Sequence, residues 1–216
     1  MTLRILLVDD HDLMRDGLRA ILEKERDYEI VGEAAGGREA VRLVAEVEPD
    51  IVIMDVAMKD LNGIEATRQI RADHHGVAII ALSSHSDPRY VTAILRAGAS
   101  AYVLKSNAYS QLKKAVQSVR VGRTFLCEEV SSVVIDAVRH PQAESASAYE
   151  RLGAREREVL QLLAEGLTSS EIAKQLHIAT STVETHRRNL MRKLDLHGIA
   201  ELTKYAIREG LTGIES

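Results

Sequence analysis

The sequence predicts a doubly wound α/β unit built on a five-stranded parallel sheet, followed by a small all-α unit. Three observations predict it. Residues 50–55 (DIVIMD) run through four apolar side chains and end on a carboxylate, the pattern of a strand covered on both faces. Strand-like and helix-like stretches then alternate five times over residues 3–123. Finally, charge shifts along the chain: residues 1–150 hold 18 Lys/Arg against 23 Asp/Glu, whereas residues 151–216, which read as helix throughout, hold 10 against 9.

Taken in order, Leu3–Val8 is the first strand, and Leu13, Leu18, Ile21 and Leu22 mark a helical face. Residues 28–33 alternate as a strand would, and Ala40, Val41, Val44 and Val47 give the next helix. The strand ending on Asp55 follows Pro49. After Gly63, the positions Ile64, Ala66 and Ile70 suit a short helix. Residues 77–82 form another strand, and Asp87-Pro88 places an N-cap and an N1 proline before the next helix. Ala101–Leu104 is the fifth strand, with Leu112, Val116 and Val119 on the fifth helix. A further helix over Glu128–Arg139, with Val130, Val133, Val134 and Val138, either packs on this unit or leads into the linker. That linker is expected at 140–149 (HPQAESASAY), which has no apolar periodicity.

Composition limits the function classes. At 216 residues, 45% hydrophobic and 28% charged, the chain has the make-up of an ordinary soluble protein with room for two modest domains. No apolar run is long enough to span a bilayer, and the N-terminus lacks the features of a signal peptide, so a cytoplasmic location without membrane contact is expected. Cys127 is the single cysteine, which excludes an internal disulfide and a thiolate zinc cluster, and it reads best as a small buried apolar side chain. The eight histidines show no metal-binding spacing of the HExxH kind.

The strand ends deliver Asp9, Asp10, Asp55, Ser83 and Lys105 to one edge, where open α/β sheets keep their chemistry. Three carboxylates in one pocket repel each other and raise at least one pKa unless a divalent cation neutralises them; a set of hard oxygen donors favours Mg²⁺. Helix N-capping accounts for one of these acids, and for Asp12, but not for a cluster of three. With Mg²⁺ and Lys105 to neutralise the transferring oxygens, Asp55 can attack a phosphoryl group and become an aspartyl phosphate, and Ser83 can bind a phosphoryl oxygen. Taken singly, Ser83 also reads as a turn residue and Lys105 as a solvated charge. Their combination across four strand ends points to phosphoryl transfer.

The stretches LLVDDH, IVIMDVAM, LNGIE, ALSS and AGASAYVLKS resemble the receiver domain of bacterial response regulators, over residues 3–123. The resemblance implies a flavodoxin-like sheet with Asp55 as phosphoacceptor. It also implies that Asp10, Asp55 and the Ala57 carbonyl bind Mg²⁺, with Asp9 acting mostly through water, while Lys105 contacts the phosphoryl group. Ser83 and Tyr102 become a switch pair, the hydroxyl moving toward the phosphate as the ring turns inward. Tyr102 also reads as a strand tyrosine that packs its ring and wets its hydroxyl. Lys59 departs from the family, which usually has proline there; the loop loses a fixed φ and gains a cation beside the acids. Ala57 and His85 flank the expected phosphoryl site.

The remaining chain reads as helices. Residues 155–165 carry Val159, Leu160, Leu162 and Leu163 and stop at Gly166. Thr168-Ser169-Ser170-Glu171 is a capping box before Ile172, Ala173 and Leu176. The turn His177-Ile178-Ala179 leads to a polar start at Thr180 and Ser181 and a helix to Leu194. Short helix, tight turn and longer helix is the helix-turn-helix plan. On the longer helix Val183, Leu190 and Leu194 form a core stripe, while Ser181, Glu184, Thr185, Arg188 and Arg192 lie elsewhere. Residues 181–194 hold four basic residues against one acid, which suits a DNA major groove and equally a solvated face. Glu184 reads either as the capping-box partner of Ser181 or as an acceptor for a cytosine amino group.

The segment 152–210, through REREVLQLLAEGLTSSEIAKQL and STVETHRRNLMRKL, resembles the LuxR-type DNA-binding domain. With the receiver it resembles the NarL/FixJ family of response regulators, divided as a receiver over 1–123, a helix and linker over 124–149, and a DNA-binding domain over 150–216. The resemblance implies that Glu184, Thr185 and Arg188 face bases, that Arg187, Arg192 and Lys193 contact the DNA backbone, and that Thr182 belongs to the same set. The last helix, near Ile199–Arg208, resembles the family's DNA-bound dimer surface, although Leu202, Tyr205 and Ala206 can instead complete the core. The expectation is a transcription factor rather than an enzyme. A sensor histidine kinase or acetyl phosphate would modify Asp55, which would lose its phosphate slowly. A homodimer would then bind inverted-repeat double-stranded DNA, with half-sites about one helical turn apart. Two alternatives stand beside it: an enzyme that turns over a phosphoryl-aspartate, and a DNA-binding regulator whose receiver acts independently of phosphorylation.

Overall fold

The computed structural model describes residues 2–139, 148, 149, 151–209 and 211. The chain divides into two compact units, Met1–His140 and Pro141–Ser216. Most of the expected linker, residues 140–147, lies outside the described residues. No helix among the described residues is long and apolar enough to cross a membrane.

In the first unit the elements run β1 (Leu3–Val8), α1 (Asp12–Leu22), β2 (Tyr28–Ala34), α2 (Gly37–Val47), β3 (Ile51–Asp55), α3 (Gly63–Asp73), β4 (Ala78–Ser83), α4 (Pro88–Ala97), β5 (Ala101–Leu104), α5 (Ala108–Arg120), β6 (Phe125–Leu126) and α6 (Glu128–Arg139). A single 3-10 turn at Lys105–Asn107 joins β5 to α5. All strands are parallel, in the order β2-β1-β3-β4-β5-β6. Both faces of the sheet are covered, and successive residues of β1 divide between them. Ile5 and Leu7 pack with Leu18 and Leu22 of α1 and Leu112 and Val116 of α5. Leu6 and Val8 pack with Ala40 and Val44 of α2 and Ile70 of α3. This is why the strands read as continuous apolar runs instead of alternating.

The sheet has six strands where the sequence predicts five. Phe125 and Leu126 pair with Ala101 and Tyr102, and two residues are too few to generate a periodicity. Gly122, at φ 73°, turns the chain back after α5. The compact unit thus continues past residue 123: Cys127, at the start of α6, and Val130 are buried in one cluster with Val91, Ile94 and Tyr102. Between the two readings of this helix, packing on the first unit is the one realised. Of the expected apolar positions, the side chain of Val138 lies outside the described residues.

The second unit contains α7 (Ala154–Ala164), α8 (Ser169–Leu176), α9 (Thr180–Leu194) and α10 (Ile199–Arg208). Helix α8 opens on the reciprocal Thr168–Glu171 capping box and ends at His177, whose left-handed φ of 54° turns the chain toward α9. Val159, Leu160, Leu162 and Leu163 of α7, Ile172 and Leu176 of α8, and Val183 and Leu190 of α9 share one core. Leu202, Tyr205 and Ala206 of α10 are buried in that same core and complete it.

Candidate functional site

Strand register builds the acid pocket. Val8 pairs with Met54, so Asp9, one residue further on, emerges beside Asp55. The chain leaves β1 for β2 on one side of the sheet and returns through β3 on the other, which makes the crevice between their C-terminal ends the topological switch point. Ser83 pairs with Leu104 at the ends of β4 and β5, which delivers Lys105 to the same edge. Gly63 closes the floor: a Cβ there would lie 2.0 Å from the Asp55 carbonyl oxygen, so only glycine lets α3 begin this close to β3.

Asp9 and Asp55 are fully buried. The Lys105 ammonium lies 2.7 Å from Asp9 Oδ2 and 2.8 Å from Asp55 Oδ2. Neither oxygen accepts a well-aligned hydrogen bond, so the lysine acts on them chiefly through its charge. Asp55 Oδ1 accepts the Ala57 amide at 3.2 Å. His11 Nδ1 lies 2.7 Å from Asp10 Oδ1 and 3.2 Å from Asp9 Oδ1. Burial first, and the Asp9 charge second, push the Asp55 carboxyl up to about 6 against the pull of Lys105. Burial also presses on the Lys105 ammonium, but Asp55 and Asp9 outweigh it and hold its pKa above the ordinary range.

These residues fit a divalent cation. Ligand atoms of Asp9, Asp10, His11 and Asp55 all lie within 4.8 Å of one another, and Asp9 Oδ2, Asp10 Oδ1 and Asp55 Oδ2 are buried acceptors with no hydrogen bond to satisfy them. Three carboxylates against one ammonium leave the pocket short of positive charge, a deficit that a hard cation makes good.

On the same edge, Ser83 and Tyr102 engage one residue of the β4–α4 loop. The Tyr102 hydroxyl donates to the His85 carbonyl at 2.5 Å, and Ser83 Oγ accepts the His85 amide at 3.0 Å. The Tyr102 ring is fully buried, and burial pushes its phenol up to about 12. The His85 ring stacks on Tyr90 with centroids 4.8 Å apart.

In the second unit, Thr182, Thr185, Arg188 and Arg192 are exposed on α9. Arg187 is half-buried, 3.9 Å from Glu184. Glu184 accepts a hydrogen bond from the Ser169 hydroxyl of α8. The N-cap of α9 is Ala179, without a side-chain bond, so the Ser181–Glu184 capping box does not form: Ser181 lies inside the helix. Lys193 is also exposed, and its Nζ reaches Glu156 Oε2 on α7 at 2.6 Å.

The chain matches the response regulator receiver domain over residues 5–117 and the bacterial regulatory proteins of the luxR family over residues 150–206. It belongs to the LuxR-type response regulators. The regulator is 40% identical over 209 residues to the transcriptional regulatory protein LiaR of Bacillus subtilis, covering 97% of this chain and 99% of LiaR. It is 35% identical to the response regulator VraR of Staphylococcus aureus, covering 98% and 99% of the two chains. Among solved structures it is similar to the RcsB response regulator of Salmonella typhimurium, with 28% identity, a TM-score of 0.58 and 94% and 97% coverage. It is likewise similar to an RcsB–DNA complex, with 27% identity, a TM-score of 0.60 and 95% and 98% coverage. The regulator is thus a two-component transcription regulator: a receiver joined to a DNA-binding unit.

The regulator gathers Asp9, Asp10, Asp55, Ser83 and Lys105 at one sheet edge as the strand pattern predicts, with Ala57 just beyond Asp55. Sequence reasoning passed over His11, which touches two of the acids, although it directly follows them in the chain. It also passed over Asn62, the buried N-cap of α3, whose Oδ1 accepts the Glu65 amide at 2.9 Å. The signal for Asn62 was legible: an Asn three residues before a Glu marks a helix start.

Proposed function

We propose that Asp55 is the phosphoacceptor and that its modification by a sensor histidine kinase switches DNA binding by the second unit. The observation that carries this reading is the Lys105 ammonium between two buried carboxylates, 2.8 Å from Asp55. It keeps a nucleophilic carboxylate in a site too poor in positive charge to hold it otherwise. Asp10, Asp55 and the Ala57 carbonyl would hold Mg²⁺ with Asp9 beside them, and bound there the ion would supply positive charge for the phosphoryl oxygens. One Asp55 oxygen attacks the phosphorus of a phosphohistidine or acetyl phosphate, and the new P–O bond forms as the bond to the leaving group breaks. Lys105 then has a phosphoryl oxygen to pair with, and the Ser83 hydroxyl gives up the His85 amide, from which it accepts, to donate to another phosphoryl oxygen. Tyr102, bonded to the same loop residue, senses that exchange. Autodephosphorylation is slow, and the protein carries out no other catalysis.

In the second unit, Thr182, Glu184, Thr185, Arg187, Arg188 and Arg192 form the DNA face. The placement of Lys193 against Glu156 makes its contact to the DNA backbone secondary to an internal one. RcsB has been solved as dimers bound to DNA, which supports a homodimer on an inverted repeat here. The boundaries that go with this reading are 1–123 for the receiver, 124–149 for the helix and linker, and 150–216 for the DNA-binding domain. All of these partners meet in the cytoplasm.

The test is intact mass after incubation with acetyl phosphate and Mg²⁺, wild type beside Asp55→Asn. One phosphoryl adduct that the variant lacks is expected. If none forms with acetyl phosphate or with a phosphorylated kinase, the receiver acts independently of phosphorylation and the exposed Lys59 becomes the first residue to replace with proline.

A further inference from the structure

We propose that Ser169 is a positioning residue for DNA-sequence discrimination, its hydroxyl holding the Glu184 carboxylate in the orientation in which it meets a base edge. This rests on the reading of Glu184 as base-facing.

The hydrogen bond spans two helices. Ser169 opens α8, Glu184 lies in the second turn of α9, and the serine hydroxyl donates to Glu184 Oε1 across the turn between them. The start of α8 does not need this hydroxyl. Thr168 is the N-cap: its Oγ1 accepts the Glu171 amide, while Glu171 Oε2 accepts the Thr168 amide at 2.8 Å and its hydroxyl at 2.7 Å. Ser169 stands at the first helical position, and the partner its side chain finds is on the recognition helix.

Glu184 has little else to orient it. It takes no part in the start of α9, where Ala179 is the N-cap and makes no side-chain bond, and Arg187 is 3.9 Å away, beyond hydrogen-bond distance. The Glu184 side chain is 46% exposed, and an unpinned glutamate in that setting samples many rotamers that DNA binding would have to freeze. Because the serine engages Oε1, Oε2 is left to face a donor. The base-edge donor chemically suited to a carboxylate in the major groove is the amino group of cytosine. A neutral hydroxyl also leaves the glutamate its full charge, so purine acceptors at that position remain repelled.

The experiment uses the full chain and a pool of DNA duplexes with a randomised core, sequencing the bound fraction for wild type, Ser169→Ala, Ser169→Thr, Glu184→Ala and the Ser169→Ala/Glu184→Ala double variant. Glu184→Ala should erase the preference at one base pair of each half-site. Ser169→Ala should lower discrimination at that same pair by about three- to tenfold, the value of one hydrogen bond, with the other positions unchanged. Ser169→Thr should restore it, and the double variant should match Glu184→Ala alone. Equal weakening on every sequence in Ser169→Ala would mark a structural role and overturn the proposal. So would a wild-type profile in Ser169→Ala beside an altered one in Glu184→Ala. If Glu184→Ala itself leaves the profile unchanged, or the wild type enriches no sequence, the underlying reading of Glu184 fails.

Discussion

Lys193, near the end of the helix expected to contact DNA, reaches back to Glu156 in the first turn of α7 at 2.6 Å. The same ammonium lies 3.4 Å from the Arg151 carbonyl, and Glu156 in turn accepts the Gly153 amide at 2.8 Å. One lysine therefore ties the angle of α9 to the start of the domain.

Replacing Lys193 with methionine keeps the apolar stem and removes the charge. The expected cost is about 1–2 kcal/mol, that of a charge-assisted hydrogen bond to a largely buried acid, read from urea unfolding. Burial alone would raise the Glu156 carboxyl, but Lys193 and the Gly153 amide outweigh it and hold it below the ordinary range. A depressed native pKa contributes stability that is complete above the unfolded value and is lost as pH falls through the native one. The variant should therefore differ from wild type at neutral pH and converge with it in acid; a constant difference down to acid would remove the ion pair from the account.

Asp55 carries the opposite sign. Its carboxyl is raised to about 6, so its ionisation costs stability that is absent below the unfolded carboxylate range and grows as pH rises through about 6. In Mg²⁺-free buffer at pH 7, Asp55→Asn should be more stable than wild type by about 1–3 kcal/mol, because one lysine then faces one buried acid in place of two. Calorimetry across pH checks it. The gain should shrink as pH falls below 6, and added Mg²⁺ should stabilise the wild type more than the variant.

Lys105→Met is the converse. Asp9 and Asp55 would be left buried with no cation beside them, and the Mg²⁺-free receiver should lose about 2–4 kcal/mol. Millimolar Mg²⁺ should recover a larger share of that loss than it adds to wild type. Equal Mg²⁺ responses would separate the lysine from the metal pocket.

Gly63→Ala places a methyl 2.0 Å from the Asp55 carbonyl oxygen. The helix must move off the strand end, at a cost of about 2–4 kcal/mol from overpacking. Phosphorylation from acetyl phosphate should slow in the same variant, since the backbone that moves is that of Asp55 itself.

Arg188→Ala removes an exposed cation from α9. Operator binding should weaken by about 1–3 kcal/mol if the guanidinium reads a guanine edge, with relaxed specificity at that base pair; a phosphate contact would weaken all sequences alike and lower the salt slope by about one. Phosphorylation of Asp55 should be unaffected, and its loss would contradict the division of labour between the two units.

The acid-bearing edge was legible because each of its residues ends an apolar run. Once β1, β3, β4 and β5 are recognised, register alone assembles Asp9, Asp55, Ser83 and Lys105. Strand β6 was not legible: two residues carry no period, and it exists only because β5 offers an open edge and α6 covers it. The recognition helix was legible in position but less so in partners. Charge and spacing place Lys193 and Arg192 side by side, and both are exposed, yet Lys193 reaches Glu156 and Arg192 does not, because adjacent residues of a helix point about 100° apart. The Ser169–Glu184 bond needs the crossing of α8 and α9, a tertiary fact with no local signature.

Tyr102 belongs to the same apolar cluster as Val91, Ile94, Cys127 and Val130, and its carbonyl accepts the Cys127 amide at 3.1 Å. Protein interiors tolerate little empty volume, so this ring has no silent way out. Any departure opens a hole the size of a phenol beneath α4 and α6, which those helices must collapse to fill. The ring is thus a keystone: a shift of it at the sheet edge must be taken up by the packing of α6, the last helix of the first unit.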